Sequence, residues 1–115
     1  MIKGKVVAID FDGTITKENL YPDIGEIRPN AIEAIKKIQE HNQCFIFTCR
    51  QGKTLQDALL FLYEKGLNIG IESRYDYEVA YGRKPIADYY IDDRALTSDH
   101  VGEVDWYKIE KFFME

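Results

Sequence analysis

A chain of 115 residues, 45% hydrophobic and 30% charged, holds one domain with a single core and is too short for a second lobe. Its net charge of −5 argues against nucleic acid as a partner, because phosphate-backbone binding draws on clustered Lys and Arg. No apolar run approaches the roughly 20 residues that span a bilayer, and Met1-Ile2-Lys3-Gly4 leads straight into a strand rather than a signal peptide, so the expectation is a cytoplasmic protein with no membrane segment.

Residues 5–14 organise the rest: Lys5-Val6-Val7-Ala8-Ile9 reads as a buried strand, and it ends on Asp10-Phe11-Asp12-Gly13-Thr14. Two carboxylates at the mouth of an apolar strand are partly desolvated and repel each other, so a cation is needed to keep both ionised. Mg²⁺ suits hard oxygen ligands and leaves coordination sites for water and phosphate oxygens. Strand alternation expects Asp10 and Asp12 on one face and Phe11 on the other, with Gly13 allowing a sharp turn. Taken alone, the same stretch is also an ordinary strand closed by an Asp-Gly turn.

Residues 15–27, interrupted by Tyr21-Pro22 and Gly25, read as a turn or small hairpin beside the carboxylates. Pro29 and Asn30 open a helix to about residue 41, with Ile32, Ile35 and Ile38 inward, and Asn42 ends it. Residues 43–48 contain Cys44-Phe45-Ile46-Phe47, a strand covered on both faces that ends on Thr48. Cys44 and Cys49 flank it without other metal-binding residues and are expected as buried free thiols. Thr54-Leu55-Gln56-Asp57 matches a capping pattern for a helix that Gly66 stops, followed by a short strand over 67–71.

Residues 72–83, with Tyr75, Tyr77 and Tyr81, read as a loop leading into Gly82-Arg83-Lys84-Pro85. Residues 86–91 form a strand ending on Asp92-Asp93, and 105–114 close the chain as a helix with Trp106, Ile109 and Phe113 on one side. Alternating strands and helices predict an α/β fold, a mostly parallel, doubly wound sheet with helices on both faces, whose ligands sit at the carboxyl ends of the strands. Asp10, Asp12, Thr48, Asp92 and Asp93 stand at such ends, and Lys84 precedes the last of them.

Four carboxylates, a hydroxyl and an ammonium match the needs of phosphoryl transfer to a carboxylate. Mg²⁺ between Asp10 and Asp92 neutralises phosphoryl oxygens, Lys84 and Thr48 balance developing charge, Asp10 attacks phosphorus, and Asp12 serves as acid and then base. Each piece has a plainer reading: Lys84 as solvated surface charge, Thr48 as a strand-end residue, and Arg50 as a cover for the following helix rather than a substrate contact. His41 and His100, at a helix end and in a polar turn, carry no catalytic expectation.

Taken in order, Asp10-Phe11-Asp12-Gly13-Thr14, Thr48, Lys84 and Asp92-Asp93 resemble motifs one to four of the haloacid dehalogenase-like (HAD) hydrolase superfamily, over almost the whole chain. The resemblance implies a Rossmann-like three-layer core and a Mg²⁺-dependent phosphatase. In it Asp10 is nucleophile and metal ligand, and Asp12 is acid/base and lends its backbone carbonyl to the metal. Thr48, Lys84, Gly13 and Arg50 lie on the phosphate side, Asp92 ligates Mg²⁺, and Asp93 joins the metal set directly or through water. The short intervals between motifs imply a capless member. Two other classes stay open: a phosphoacceptor signalling domain, with a stable Asp-phosphate as output, and a non-catalytic binding module. The phosphorylated substrate's class is left open. An uncapped site with tyrosines over 75–81 raises the expectation of a homo-oligomer that closes it.

Overall fold

A computed structural model describes residues 1–70, 87–93 and 104–115. The apolar residues after Lys5 form the central strand β1 (Val6–Ile9), followed by α1 (Ala31–Gln39), β2 (Gln43–Ile46), α2 (Gly52–Glu64), β3 (Tyr89–Ile91) and α3 (Trp106–Met114). Both neighbours pair with β1 in parallel, Ile9 lying opposite Ile46 on one side and Ile91 on the other, so the sheet order is β2-β1-β3. A parallel pair cannot be closed by a tight turn, and α1 supplies the crossover between β1 and β2. No helix among the described residues is long and apolar enough to cross a membrane.

Alternation along β1 sends Val7 and Ile9 into the main core with Phe11, Ile35, Ile38, Leu62, Trp106 and Phe113. Ala8 and Phe45 are buried in a second, smaller cluster with Val6, Phe47 and Ala87 packed against it. All three helices feed the first cluster. Among the described residues no helix covers the second, and the three described strands form one parallel sheet.

Helix α1 buries Ala31, Ile32, Ala34, Ile35 and Ile38 and turns Glu33, Lys36 and Lys37 outward, as its apolar spacing requires. Its start is set by Asn30 at φ 66°, a left-handed conformation that asparagine tolerates. Helix α2 begins at Gly52, two residues before the expected cap: the Thr54 hydroxyl donates to the Gln51 carbonyl within the first turn and caps no backbone N–H. Its end is as expected, with Gly66 at φ 91° and the Leu67 and Gly66 N–H groups donating to the Leu62 and Tyr63 carbonyls, both at 2.9 Å. Asp105 caps α3 by accepting from the N–H groups of Tyr107 and Lys108.

The hairpin over 15–27 is present, pinned by an antiparallel bridge between Thr16 and Ile27 and by the Lys17 N–H on the Glu26 carbonyl. The expected strand after α2 is absent over 67–70, where Leu67 and Ile69 are buried and a single bond links Ile46 N–H to the Gly70 carbonyl; residue 71 lies outside the described residues. Cys44 is half-buried, and burial pushes its thiol up to about 12. Cys49 is exposed, contrary to expectation, because β2 ends at Ile46 and the chain has left the sheet by then.

Candidate functional site

Because β1 and β3 run in parallel and in register, Asp10 and Asp92 follow directly from the paired Ile9 and Ile91, and the Asp10 N–H donates to the Ile91 carbonyl at 2.9 Å. This brings Asp10, Asp92 and Asp93 to one edge of the sheet. Burial pushes the Asp10 carboxyl up to about 7, and the nearby charges of Asp93, Asp92 and Asp12 push in the same direction. One opposing contact holds the ionised form, the Phe11 N–H donating to Asp10 Oδ1 at 2.8 Å. Among the described residues no Lys or Arg pairs with Asp10.

Asp12 has a different environment. The strand stops at Ile9, and the chain turns around the Phe11 carbonyl, which accepts from the N–H groups of Thr14, Ile15 and Thr16. Strand alternation therefore does not reach Asp12, and its carboxylate points to Arg50 instead of standing on a common strand face with Asp10. Arg50 Nε lies 2.7 Å from Asp12 Oδ2 and Nη2 lies 2.7 Å from Oδ1, a two-pronged pair whose side chains are 1% and 10% exposed.

The other Arg50 donors are also occupied. Nη2 donates to the Asp23 carbonyl at 2.7 Å, and Nη1 reaches the carbonyls of Pro22 at 3.2 Å and Thr54 at 3.3 Å. The guanidinium lies between the rings of Phe11 and Tyr21, 5.3 and 5.2 Å from their centroids. With all five N–H groups bound to protein acceptors, Arg50 has no donor left for a phosphate in this conformation, so the expected substrate contact gives way to a different role.

Gly13 has φ 79°, and a Cβ built there would lie 2.5 Å from Asp93 Oδ2. Its lack of a side chain is what lets the Asp93 carboxylate approach the turn, and its carbonyl is held by Arg28 Nη2 at 2.8 Å. Thr48 is buried and its hydroxyl accepts from the Arg50 N–H at 3.2 Å. Thr14 follows with a buried hydroxyl that has no partner among the described residues, while its carbonyl accepts from the Trp106 indole at 2.9 Å. Lys84, the tyrosines at 75, 77 and 81, and His100 lie outside the described residues.

Asp10 and Asp92 are the residues that fit a divalent cation, with Asp93 adjacent; the Asp12 carboxylate, engaged by Arg50, does not, which leaves Asp12 its backbone carbonyl for that purpose. No three acidic, His or Cys side chains among the described residues close into a ready-made ligand cluster. A Mg²⁺ site takes one or two protein carboxylates and completes its shell with water and substrate oxygens.

A solved structure of a conserved protein from Bacteroides thetaiotaomicron superposes on this chain with a TM-score of 0.77 at 32% sequence identity, covering 96% of this chain and 89% of that one. The two chains belong to one family. No family model matches the sequence, and no curated protein does. The relationship carries the architecture along nearly the full chain, and the chemistry is argued from the side chains.

The residue that sequence reasoning under-read is Arg50. The available signal was positional: β2 beside β1 in parallel brings the residues after Thr48 next to those after Asp10, and an unpaired Asp12 there calls for a cation.

Proposed function

We propose that this chain is a Mg²⁺-dependent phosphohydrolase of the HAD type that acts on phosphomonoesters through an aspartyl-phosphate on Asp10. The observation that carries the reading is the in-register pairing of β1 and β3, which sets the half-buried Asp10 beside Asp92 and Asp93 at the carboxyl end of the central strand. Burial and the neighbouring carboxylates oppose ionisation of Asp10, and a divalent cation would return it to its ionised, nucleophilic form.

An Asp10 carboxylate oxygen attacks phosphorus while the ester P–O bond breaks and the leaving alkoxide takes a proton from Asp12, which is left as the carboxylate. Water then attacks the phospho-Asp10 phosphorus and gives its proton to Asp12, and the Asp10–phosphorus bond breaks to release inorganic phosphate and restore the carboxylate. Thr48 and Lys84 are assigned to the phosphoryl oxygens. Asp10, Asp92 and the Asp12 carbonyl, with Asp93 beside them, would hold Mg²⁺, which supplies charge neutralisation at the phosphoryl group.

The same reading includes a capless, doubly wound three-layer core, a cytoplasmic setting and closure of the open site by a second copy of the chain. The decisive experiment is acid quench of the purified protein with a radiolabelled phosphomonoester, with and without EDTA. Label on Asp10 that appears and turns over only with Mg²⁺ supports the proposal. Turnover undiminished in EDTA defeats the metal's role, and a long-lived phospho-Asp10 without turnover moves the assignment to a phosphoacceptor domain.

A further inference from the structure

We infer that Arg50 is a positioning residue that aims the Asp12 carboxylate at the phospho-Asp10 water and couples that aim to the hairpin over residues 15–27. The inference rests on the phosphohydrolase reading above and adds to it a residue and a step.

Three segments meet on one guanidinium. Its Nε–Nη2 edge takes both Asp12 oxygens at 2.7 Å, its remaining donors take the carbonyls of Pro22 and Asp23 in the hairpin and Thr54 in α2, and its two faces are covered by Phe11 and Tyr21. Its own N–H donates to Thr48 Oγ1 at 3.2 Å, so the backbone that carries it is tied to the phosphate-side hydroxyl. A buried ion pair of this kind is a weak source of stability, because desolvating both charges offsets most of their attraction. What it does supply is direction: a planar fork bonded to both oxygens removes the rotational freedom of a carboxylate.

Each Asp12 oxygen accepts one guanidinium N–H and has a further lone pair for the proton of an attacking water. In the step concerned, the water oxygen bonds to phosphorus, its proton passes to Asp12, and the Asp10–phosphorus bond breaks. With p-nitrophenyl phosphate, whose leaving group departs without a proton, misaiming Asp12 slows this step and leaves the first attack by Asp10 comparatively intact. A phosphate-binding arginine would behave differently, since its loss raises KM.

The test uses the full chain with Mg²⁺ and p-nitrophenyl phosphate, measuring kcat, KM and acid-trapped phospho-Asp10 for the parent protein, Arg50→Lys and Arg50→Ala, with thermal melts alongside. Lysine keeps the charge and loses the fork. The expected result for Arg50→Lys is a roughly 10- to 100-fold lower kcat, a KM that does not rise, and a larger steady-state fraction of phospho-Asp10. Millimolar guanidinium should restore part of the rate to Arg50→Ala where equal NaCl does not. A folded Arg50→Lys protein with kcat within twofold of the parent overturns the inference, as does a raised KM with kcat unchanged. If neither Arg50 variant folds, Tyr21→Ala decides: it removes only the exposed ring over the guanidinium, and accumulation of phospho-Asp10 supports the coupling while an unchanged step ratio refutes it. A parent protein that never labels Asp10 brings down the phosphohydrolase reading itself, whereas a labelled parent with unaffected variants brings down the role of Arg50 alone.

Discussion

Asp10 and Asp12 are two residues apart in the chain and are treated oppositely by the fold. Asp10 is half-buried among like charges with one backbone N–H in support, and its carboxyl is pushed up to about 7. Asp12 is clamped by a guanidinium whose every donor is used. The first environment opposes ionisation and asks for something from outside the chain; the second is complete without it. Under the proposed phosphohydrolase reading, a site built this way separates the group assigned to react from a group held in place.

The comparison is broken most severely by removing the reactive group. Asp10→Asn keeps the Phe11 N–H contact through its amide oxygen, and it is expected to reduce phosphatase turnover by roughly 10³-fold or more without loss of the fold. Urea unfolding at pH 8 without metal should show this variant to be at least as stable as the parent, since the amide relieves a charge that the site disfavours. Substantial residual turnover would mean that attack does not come from Asp10.

Protons and metal sharpen the same contrast. The Asp10 carboxyl binds its proton more tightly folded than unfolded, 3.8 being its ordinary value and about 7 its value in the fold. Its contribution to stability is therefore fully present below about pH 4 and is lost as pH rises through 7. Each tenfold in proton affinity is worth about 1.4 kcal/mol, so the metal-free protein gives up as much as about 4 kcal/mol from this group across that range. Mg²⁺ should reverse the loss, raising the melting temperature more at pH 7.5 than at pH 5. A Mg²⁺ effect of equal size at both values would show that the cation does not bind at Asp10.

Asp12→Asn acts on the other member of the pair and is expected to have the opposite sign in stability. It leaves Arg50, 1% exposed, without its counter-charge, and breaking one side of a buried pair costs about 3 kcal/mol or more. Chemical denaturation should record that loss, and if Asp12→Asn proved as stable as Asp10→Asn, the two carboxylates would not differ as described.

Much of this arrangement is legible in the chain because buried parallel strands appear as short apolar runs, and the polar residue after each run marks the carboxyl edge of the sheet. Asp10, Asp92 and Thr48 were located in that way, as were the hairpin with its Tyr21-Pro22 and the Gly66 stop. The side-chain directions beyond the strand ends were not. Alternation places Asp12 on a strand face that does not exist past Ile9, and the Thr54–Asp57 pattern predicts a cap where the Thr54 hydroxyl instead donates to the carbonyl of Gln51. Arg50 depends on the carbonyls of Pro22 and Asp23, 28 and 27 residues away, whose meeting with the guanidinium is a product of tertiary packing that no local spacing encodes.

The smallest expected effect concerns Tyr21, which lies over the Arg50 guanidinium and is 56% exposed. Its ring covers the guanidinium at 5.2 Å but makes no bond to Asp12, so it contributes through the cation–π contact and by limiting water access to the ion pair. An exposed contact of this type is worth about 0.5–1 kcal/mol. Tyr21→Ala should lower stability by that amount, and Tyr21→Phe, which keeps the ring, should not. Because water admitted beside Arg50 screens its attraction for Asp12, adding the Asp12→Asn change to Tyr21→Ala should cost less than the sum of the two single losses. Strict additivity in the double-mutant cycle would show that the ring shields nothing, and the hairpin would then be held to the site by its carbonyls alone.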